Sequence, residues 1–465
     1  MHPTLIFRLV PLALAASILA GCAVGPAYKV PSTPSPAAFK ETAGWVAAAP
    51  ADTLERGPWW TLFNDPVLNQ LAQQVEVSNQ NVAAAVAAYA QARALVAEQR
   101  ASLFPSVGLA GGGERSGGRD TDSKESFRLN IGASWEPDIW GRLRAGVTSA
   151  RAGQQASAAE LAAARLSAQG ELAVNYFGLR QSDAQKALLA TTIEGYQRVA
   201  QITKNRFDAG IVGKSDVLQA QTQLANAQVE ALSLTRQRAQ LEHAIAILIG
   251  KAPADFSLAP AVWTANVPEI PAAVPSLLLQ RRPDIASAER RVAAANEQIG
   301  IARSAYYPNI GLSGSLGTGG SKLSDLFSAS TLLWSFGASV AQSIFNAGAT
   351  RANVAGAEAS HQVAVARYRQ TVLEAFGDVE NQLSATRVLG QQQALRRQAS
   401  EAAGQVEQQM LNRYKAGQVG YTEVVQAQAT ALSARRSLVQ LQADRQSTAV
   451  ALIQSMGGGW KASLE

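Results

Sequence analysis

The chain has 465 residues, of which 47% are hydrophobic and 16% charged, with a formal net charge of +6. Its basic residues are scattered without a basic run, which argues against a nucleic-acid partner. One cysteine excludes intramolecular disulfides and cysteine-based metal sites, and three histidines give little support to a histidine metal cluster. We therefore expect no cofactor other than a covalently attached lipid.

The N-terminus has the pattern of a cleaved export signal. The apolar run at 9–20 is too short to span a bilayer, which takes about 20 residues, but it suits a signal-peptide core. The run ends in LAGC, which resembles the lipobox of bacterial lipoproteins, in which Cys22 becomes the lipidated first residue. Ala23 follows it, and in such lipoproteins the absence of aspartate there favours the outer membrane. We predict a lipoprotein signal peptide over 1–21 and a lipidated extended tether over 22–57. An ordinary signal peptide with a chance cysteine is the alternative.

An internal duplication follows the tether. The stretch NRFDAGIVGKSDVLQAQ at 205–221 recurs as NRYKAGQVGYTEVVQAQ at 412–428, and ASLFPSVGLAG at 101–111 recurs as SAYYPNIGLSG at 304–314. Self-similarity of this kind indicates two structural copies in tandem, and features that both copies share are expected to be architectural.

The tripeptide Gly213-Lys214-Ser215 has the form of the end of a phosphate-binding loop. That loop needs a glycine at the position of Asp208, and the second copy has Tyr421 in place of the lysine. The shared pattern is G-x-V-G-x-[ST]-[DE], so we interpret both stretches as turns and exclude a nucleotide site.

Long proline-free stretches surround these turns. Apolar and small residues recur there at spacings of three and four, interrupted at Arg238 and Arg445. This seam predicts antiparallel helices over 145–206 and 215–249, and an equivalent pair in the second copy. The longer helix would reach about 90 Å at 1.5 Å per residue, roughly three bilayer cores, so it is expected to cross an aqueous space.

The turn residues predict how each helical pair is closed. Gly210 and Gly417 suit the left-handed residue that ends a helix. Ser215 and Thr422 suit the N-cap of the helix that follows. Each turn is therefore predicted to be the tip of a helical hairpin.

The periodicity changes from 3.6 to 2 between the helices of each copy. The alternating apolar residues are Val107, Leu109, Phe127, Leu129, Ile131, Ala133, Trp135, Ile310, Leu312, Leu316, Trp334, Phe336, Ala338 and Val340. They predict four strands of about ten residues, joined pairwise by polar loops at 112–125 and 317–330. A third repeat pair matches GASWEPDIW at 132–140 with GASVAQSIF at 337–345. Transmembrane β-strands have this pattern, and a soluble sheet with one packed face is the alternative.

Four strands leave two open edges, which hydrocarbon does not tolerate, and known barrels start at about eight strands. A membrane interpretation therefore requires an oligomer. Two, three or four copies would give roughly 8, 12 or 16 strands, and periodicity does not choose among them.

The most distinctive stretches of the chain are WWTLFNDPVLNQLAQQ at 59–74, SWEPDIWGRLRAG at 134–146, PSLLLQRRPDIASAERRVAAANEQIGIARSAYYPNIGLSGS at 275–315 and the two tips. In these stretches the chain resembles the TolC-family outer-membrane efflux lipoproteins of the NodT type, which serve resistance–nodulation–division pumps. The resemblance implies a mainly α fold with a small membrane β-barrel part. Three subunits would share a 12-strand barrel among outer membrane lipids and a periplasmic α-barrel.

In this interpretation the chain has four regions after the tether. The first repeat covers 58–250, a Pro-rich equatorial connection covers 251–283, the second repeat covers 284–458, and a C-terminal tail covers 459–465. Each repeat is expected to contain a helix, two strands and a long helical hairpin.

The resemblance also implies a periplasmic gate at the tips. Asp216 and Glu423 match acidic aperture positions, and Tyr414 matches an aperture tyrosine. Gln426 stands where some relatives have a second aspartate, and Val419 replaces an arginine that some relatives use to tie the closed state. A periplasmic adaptor that bridges to an inner-membrane pump is expected to dock on Gly210, Val212, Gly213, Ser215, Gly417, Val419, Gly420 and Thr422.

The expected function is a passive, gated duct that exports small molecules such as drugs or other toxic compounds, with energy from the partner pump. Two other classes stay open at this point. One is a non-gated porin or structural periplasm-spanning protein. The other is an envelope enzyme, for which no Ser–His–Asp arrangement, metal cluster or isolated acid pair can be placed.

Overall fold

The computed structural model describes residues 24–33, 36, 38–42, 58–119, 121–268 and 282–458. Cys22, the signal peptide at 1–21 and the tail at 459–465 lie outside the described residues. The predictions made for them stay predictions.

From the second helix onward, the helices and strands of the described residues come in the same order twice. The first series is α1 (Pro66–Ser78), α2 (Gln80–Ala101), β1 (Ser106–Gly118), β2 (Thr121–Trp135), α3 (Arg142–Asp208) and α4 (Lys214–Leu248). The second series is α5 (Pro283–Ser304), β3 (Asn309–Gly320), β4 (Leu332–Ala341), α6 (Ala349–Lys415) and α7 (Tyr421–Ser455). Both α3 and α6 have 67 residues, and both α4 and α7 have 35. The predicted duplication and the predicted helical hairpins are therefore confirmed.

The chain divides into two compact units, and α3 and α6 contribute residues to both. One unit comprises Ala87–Ala158, Ser287–Thr371 and the N-terminal segment to Thr33, and it holds the four strands. The other comprises Pro34–Val86, Ala159–Ala286 and the chain from Val372 onward, and it holds both hairpin tips. None of the helices in the described part of the chain has the length and apolar character that a bilayer crossing demands.

The first hairpin is held together along the predicted seam. Leu189 and Tyr196 of α3 form a buried cluster with Ala227 and Leu234 of α4. Small residues such as Ala227 let the two helix backbones approach closely while the larger side chains fill the space between them. The apolar periodicity therefore sets which faces of the two helices meet.

Arg238 interrupts this seam because it belongs to a buried ion-pair network. Its Nε donates to Asp183 at 2.7 Å, and its Nη1 lies 3.3 Å from Glu242. Asp183 also pairs with Arg180 at 3.2 Å, and both side chains are 5% exposed. Arg180 in turn donates to the carbonyl oxygen of Ala259 at 2.9 Å. Buried charges need such partners, so the network fixes the start of the connection between the repeats onto the first hairpin.

The four strands form one antiparallel sheet in the order β1-β2-β3-β4. The register places Leu109, Ile131, Leu316 and Trp334 in one row across all four strands. These side chains are between 47% and 78% exposed in the single chain. Small and polar residues, such as Ser315 opposite Ser335, alternate with them on the other face. The sheet therefore presents an uncovered apolar face, and within the described residues the outer edges of β1 and β4 pair with no further strand.

The predicted loop at 112–125 is wrong, because β1 and β2 continue through nearly all of it. Charged residues face each other across the ladder, with Arg115 opposite Glu125 at 3.6 Å. Opposite charges on neighbouring strands favour pairing where hydrophobic alternation gives no signal. The predicted loop at 317–330 also begins too early, since β3 runs to Gly320 and short 3₁₀ turns follow at Leu323–Phe327 and Ala329–Thr331.

The predicted match of 132–140 with 337–345 is displaced by two residues. Gly141 and Gly348 both have left-handed backbones, with φ of 78° and 86°, just before α3 and α6. They are therefore equivalent, and Ser134 at the end of β2 corresponds to Ala341 rather than Ser339. Sequence identity aligned the shared GAS triplet, whereas strand pairing and the helix starts decide the structural equivalence.

The end of α4 is packed tightly against the junction of α1 and α2. Gly250 follows α4 with a φ of 71°, and a Cβ atom there would collide with the carbonyl oxygen of Ser78. The side-chain amide nitrogen of the buried Asn79 donates to the backbone carbonyl of Leu248 at 2.8 Å. A residue other than glycine would meet both backbone strain and a steric overlap at this position.

We expect Gly250→Ala to destabilise the protein more than Gly210→Ala. Gly210 has nearly the same φ of 72°, but no atom lies within 4 Å of the point that a Cβ atom would occupy there. Alanine at Gly210 therefore carries only the left-handed strain, about 1–2 kcal/mol, and the overlap at Gly250 adds about 1–3 kcal/mol. Thermal unfolding of both variants in detergent measures the difference. Equal losses would show that the contact with Ser78 does not constrain the fold.

Candidate functional site at the hairpin tips

Each hairpin ends in a tight turn with the same backbone geometry. Gly210 has a φ of 72°, and its N–H donates to the Phe207 carbonyl at 2.8 Å. The N–H of Ile211 donates to the Arg206 carbonyl at 2.8 Å. Gly417, with a φ of 73°, closes the second hairpin in the same way. This pair of hydrogen bonds satisfies the last helix carbonyls, and it needs the left-handed glycine that the sequence predicted.

The predicted N-cap role of Ser215 and Thr422 is wrong. The N-caps of α4 and α7 are Gly213 and Gly420, with extended backbones and no side-chain capping bond. Each helix therefore starts before the hydroxyl residue, which lies inside the first turn. A glycine occupies the N-cap position of each helix, so neither helix has a side chain at that position that could cap it.

The acidic residues of the predicted gate lie in the first turns of the two helices. Glu423 and Gln426 are exposed, and Asp216 is half-buried. The positive end of each helix dipole favours a carboxylate at this position. Among the described residues no hydrogen bond or ion pair joins Asp216 to Glu423. The single chain therefore does not bring the two carboxylates into direct contact.

A buried aromatic cluster lies beside these acids. Tyr414 and Tyr421 have ring centroids 5.5 Å apart and are 1% and 3% exposed. They pack with Val424, Val199 and Ala220, and so join the second tip to the helices of the first hairpin. Burial, followed by the nearby tyrosine hydroxyls, raises the pKa of Tyr421 to about 12, so this side chain stays neutral at physiological pH.

The cluster holds Tyr414 by its side chain and by its backbone. Its hydroxyl lies 3.1 Å from the hydroxyl of Thr203, which is fully buried. Arg206 donates to the Tyr414 carbonyl at 2.6 Å, and its guanidinium carbon lies 4.7 Å from the Tyr414 ring centroid. The first hairpin thus supplies an arginine at the tip, and Val419 packs against the same cluster.

Sequence reasoning named Tyr414 as an aperture residue but assigned no role at the tip to Thr203 or Arg206. The signal for Arg206 was present, because the triplet N-R-[FY] recurs at 205–207 and 412–414. Of the other predicted tip residues, Val212 is half-buried, and Gly213, Ser215, Gly420 and Thr422 are exposed. This arrangement can hold two hairpins together and present carboxylates beside their contact.

Long helical hairpins joined to a sheet with an uncovered apolar face define a channel subunit of a membrane rather than an enzyme. The family described as outer membrane efflux protein matches residues 71–251 and 274–458. The chain therefore belongs to the outer membrane efflux protein family, and the two matched stretches correspond to its two repeats.

Relatives and solved structures agree with this assignment. The chain is 30% identical over 464 residues to the probable efflux pump outer membrane protein TtgC of Pseudomonas putida, covering 97% of this chain and 96% of that one. It is 29% identical over 464 residues to the cation efflux system protein CusC of Escherichia coli, covering 98% and 99%. The solved outer-membrane channel OprN is 31% identical, with a TM-score of 0.85 over 94% of this chain and 100% of that one. The protein is thus an outer membrane efflux channel.

We expect Tyr414→Phe to destabilise the protein by about 1–3 kcal/mol, because it leaves the buried Thr203 hydroxyl without its partner. Adding Thr203→Val removes both polar groups and should restore most of the loss. Denaturant unfolding of the single and double variants gives the coupling energy of the pair.

Tyr421→Phe is the matched control for this cycle. Its ring is buried in the same cluster, but within the described residues no hydrogen bond of its hydroxyl is present, so we expect a smaller change. Additive losses in the Thr203 and Tyr414 double variant would contradict a hydroxyl pair.

Proposed function

We propose that the channel is a homotrimer, in which three sheets close one 12-strand barrel in the outer membrane and six hairpins form a periplasmic tunnel. The observation that carries this proposal is the open sheet with its exposed apolar row. Unpaired N–H and C=O groups at the edges of β1 and β4 are too costly in hydrocarbon, so β4 pairs with β1 of the partner subunit. The apolar row then faces lipid all around the barrel.

Exposed apolar side chains on the hairpins support the same assembly. They are Leu218, Val229 and Leu232 on α4, and Val388, Leu395 and Val406 on α6. Both sets recur at helical spacing, and they lie on two different hairpins of the chain. Two different surfaces that cover each other between copies make a head-to-tail interface, which closes into a ring when the rotation allows.

The proposed duct is passive and gated at its periplasmic end. In a trimer, Asp216 and Glu423 contribute six carboxylates near the aperture, with Gln426 beside them and Tyr414 holding the hairpins of each subunit together. Carboxylates brought together at the aperture attract cations, and the cations held between them draw the tips together. We infer that the closed state conducts weakly and prefers cations. The energy for export comes from a partner pump, in accord with the absence of a nucleotide-binding motif from the sequence.

We infer that the tips dock a periplasmic adaptor, which connects the duct to an inner-membrane pump. The exposed turn residues around the two left-handed glycines, Gly210 and Gly417, offer a surface for that contact. TtgC and CusC differ in what their names describe, an efflux pump in one and a cation efflux system in the other. We therefore assign selection of the small-molecule cargo to the pump rather than to the duct.

Neutralising the tip acids should open the closed state. We expect the double variant Asp216→Asn, Glu423→Gln to show closed-state currents several-fold larger than wild type in a planar bilayer, with less preference for cations. Asp208→Asn is the control, because its carboxylate pairs with Lys204 at 2.8 Å at the end of α3 and is not assigned to the aperture. Unchanged conductance and selectivity in the double variant would remove the gate. Large constant currents in all three proteins would favour a non-gated porin.

We also propose that Cys22 carries the lipid anchor. The described segment that follows it is fixed to α5, since Asn296 donates to the Pro26 carbonyl at 2.9 Å and the Tyr28 hydroxyl donates to Glu289. An anchor at Cys22 therefore connects closely to the unit that contains the strands. Several acyl chains on one residue give stable anchoring, which a single chain does not.

Intact-mass measurement of the mature protein tests this anchor. We expect a chain that begins at Cys22 and carries the added mass of its acyl groups, and a Cys22→Ser variant without that mass. An unmodified cysteine in the mature wild-type protein would contradict lipidation. Cleavage at another bond would favour an ordinary signal peptide.

A further inference from the structure

The contact that Tyr414 makes with the first hairpin has a counterpart in the internal repeat, formed by the equivalent residues of the two hairpins. Because α3 and α6 have equal lengths and end in equivalent turns, each tip position has a counterpart in the other hairpin. Tyr414 corresponds to Phe207. The surface that Tyr414 contacts, formed by Val199, Thr203 and Arg206, corresponds to Val406, Met410 and Arg413.

Among the described residues these counterparts are more exposed than the residues of the filled contact, although Met410 is half-buried. Phe207 is 39% exposed and Val406 is 46% exposed, whereas Tyr414 and Val199 are 1% and 3% exposed. Arg413 is exposed as well. The chain therefore has one filled tip contact, and the two halves of an equivalent contact are left open on its two hairpins.

The polar atoms of the filled contact are replaced together in the open one. Inside the chain the hydroxyl of Tyr414 meets the hydroxyl of Thr203 at 3.1 Å. At the equivalent positions Phe207 lacks the hydroxyl and Met410 lacks the oxygen that would pair with it. A buried hydroxyl without a hydrogen-bond partner would be costly. Neither Phe207 nor Met410 has a hydroxyl, so a contact between them does not carry this cost. Methionine sulfur against an aromatic ring is itself a favourable contact.

The arginine is retained where the hydroxyl pair is not. Arg206 stacks on the ring of Tyr414 and donates to its carbonyl, and neither interaction uses the tyrosine hydroxyl. Arg413 can therefore make the same two contacts with a phenylalanine. The arginine is kept and the two hydroxyl-bearing residues are replaced together, and both observations are compatible with the contact geometry seen around Tyr414.

We infer that Phe207 packs on the surface formed by Val406, Met410 and Arg413 of the partner subunit. Arg413 of the partner subunit lies over the Phe207 ring and donates to the Phe207 carbonyl. The occupant is a second copy of this chain, because only the second hairpin carries the counterpart surface and its own Tyr414 side already contacts the first hairpin. This inference rests on the proposed trimer and specifies how neighbouring subunits meet at the tip.

The tip of the trimer would then alternate two kinds of seam. Within a subunit, Tyr414 and Tyr421 fill the seam and a buried hydroxyl pair fixes it. Between subunits, Phe207 replaces one tyrosine and Lys214 stands at the place of the other. The seam between subunits is therefore apolar at its centre, has one aromatic ring fewer, and carries a cation at its edge.

Thiol cross-linking tests the seam in the full-length, detergent-extracted protein. The double variant Phe207→Cys, Met410→Cys is treated with a short bismaleimide, and we expect covalent dimers and trimers on a denaturing gel. Thr203→Cys, Tyr414→Cys is the matched control, which should lose its free thiols without forming higher species. Each single variant and the wild-type protein set the background.

Native mass spectrometry of the same samples, before cross-linking, separates the proposed trimer from the proposed seam between its subunits. A trimer whose Phe207 and Met410 thiols do not cross-link, although the control pair reacts, would overturn this seam and leave the trimer standing. A monomeric or dimeric mass would overturn the proposed assembly and the seam with it. Covalent trimers from the double variant alone support both.

A second measurement does not depend on cysteine variants. Phe207→Tyr should lower the temperature at which the trimer dissociates, because its hydroxyl meets a thioether. Adding Met410→Thr should restore that temperature, because it recreates the pair seen inside the chain. Independent, additive effects of the two substitutions would contradict a direct contact between these positions.

Discussion

The sheet of this chain cannot satisfy its own backbone, and much of the assembly follows from that constraint. Four strands leave two edges of unpaired N–H and C=O groups, and the same sheet exposes a continuous apolar face. Water could hydrogen-bond the backbone groups at the two edges, but hydration of the apolar face is unfavourable. Lipid could cover the apolar face, but it offers the edge N–H and C=O groups no hydrogen-bond partners. In the proposed trimer, further copies of the sheet remove this conflict, so one physical constraint accounts for both the membrane part and the oligomer.

The duplication extends this logic to the helices. Each repeat supplies one hairpin, and the two hairpins of a chain meet through Tyr414, Thr203 and Arg206 at their tips. Closing a ring then requires the same surfaces to meet again between chains, with side chains that need not be the same. In the trimer proposed above, duplication followed by divergence would thus give two related seams, one with a buried hydroxyl pair and one with an apolar centre, on a single backbone geometry.

Several features of the fold could be predicted from local patterns because their physical signals are local. Small and apolar residues at helical spacing predicted the hairpins, and Gly210 and Gly417 predicted their left-handed ends. The errors came where local residue type was a poor guide. Ser215 and Thr422 have capping side chains, but the preceding glycine turn starts the helix without them. Most residues of 112–118 and 121–125 are small or polar, yet these segments lie in strands, where charged pairs such as Arg115 and Glu125 face each other across the ladder.

The sequence by itself determined that the chain is duplicated, that it forms long hairpins and amphipathic strands, and that Tyr414 and two acids lie at the tips. Only the tertiary structure decided that Tyr414 pairs with Thr203 and Arg206, and that Arg238 belongs to a network with Asp183. Those partners lie on other helices, and both partners of Tyr414 are more than 200 positions away along the chain. Periodicity reports which face of a helix is buried, whereas the neighbour that covers it depends on how the helices are placed in space.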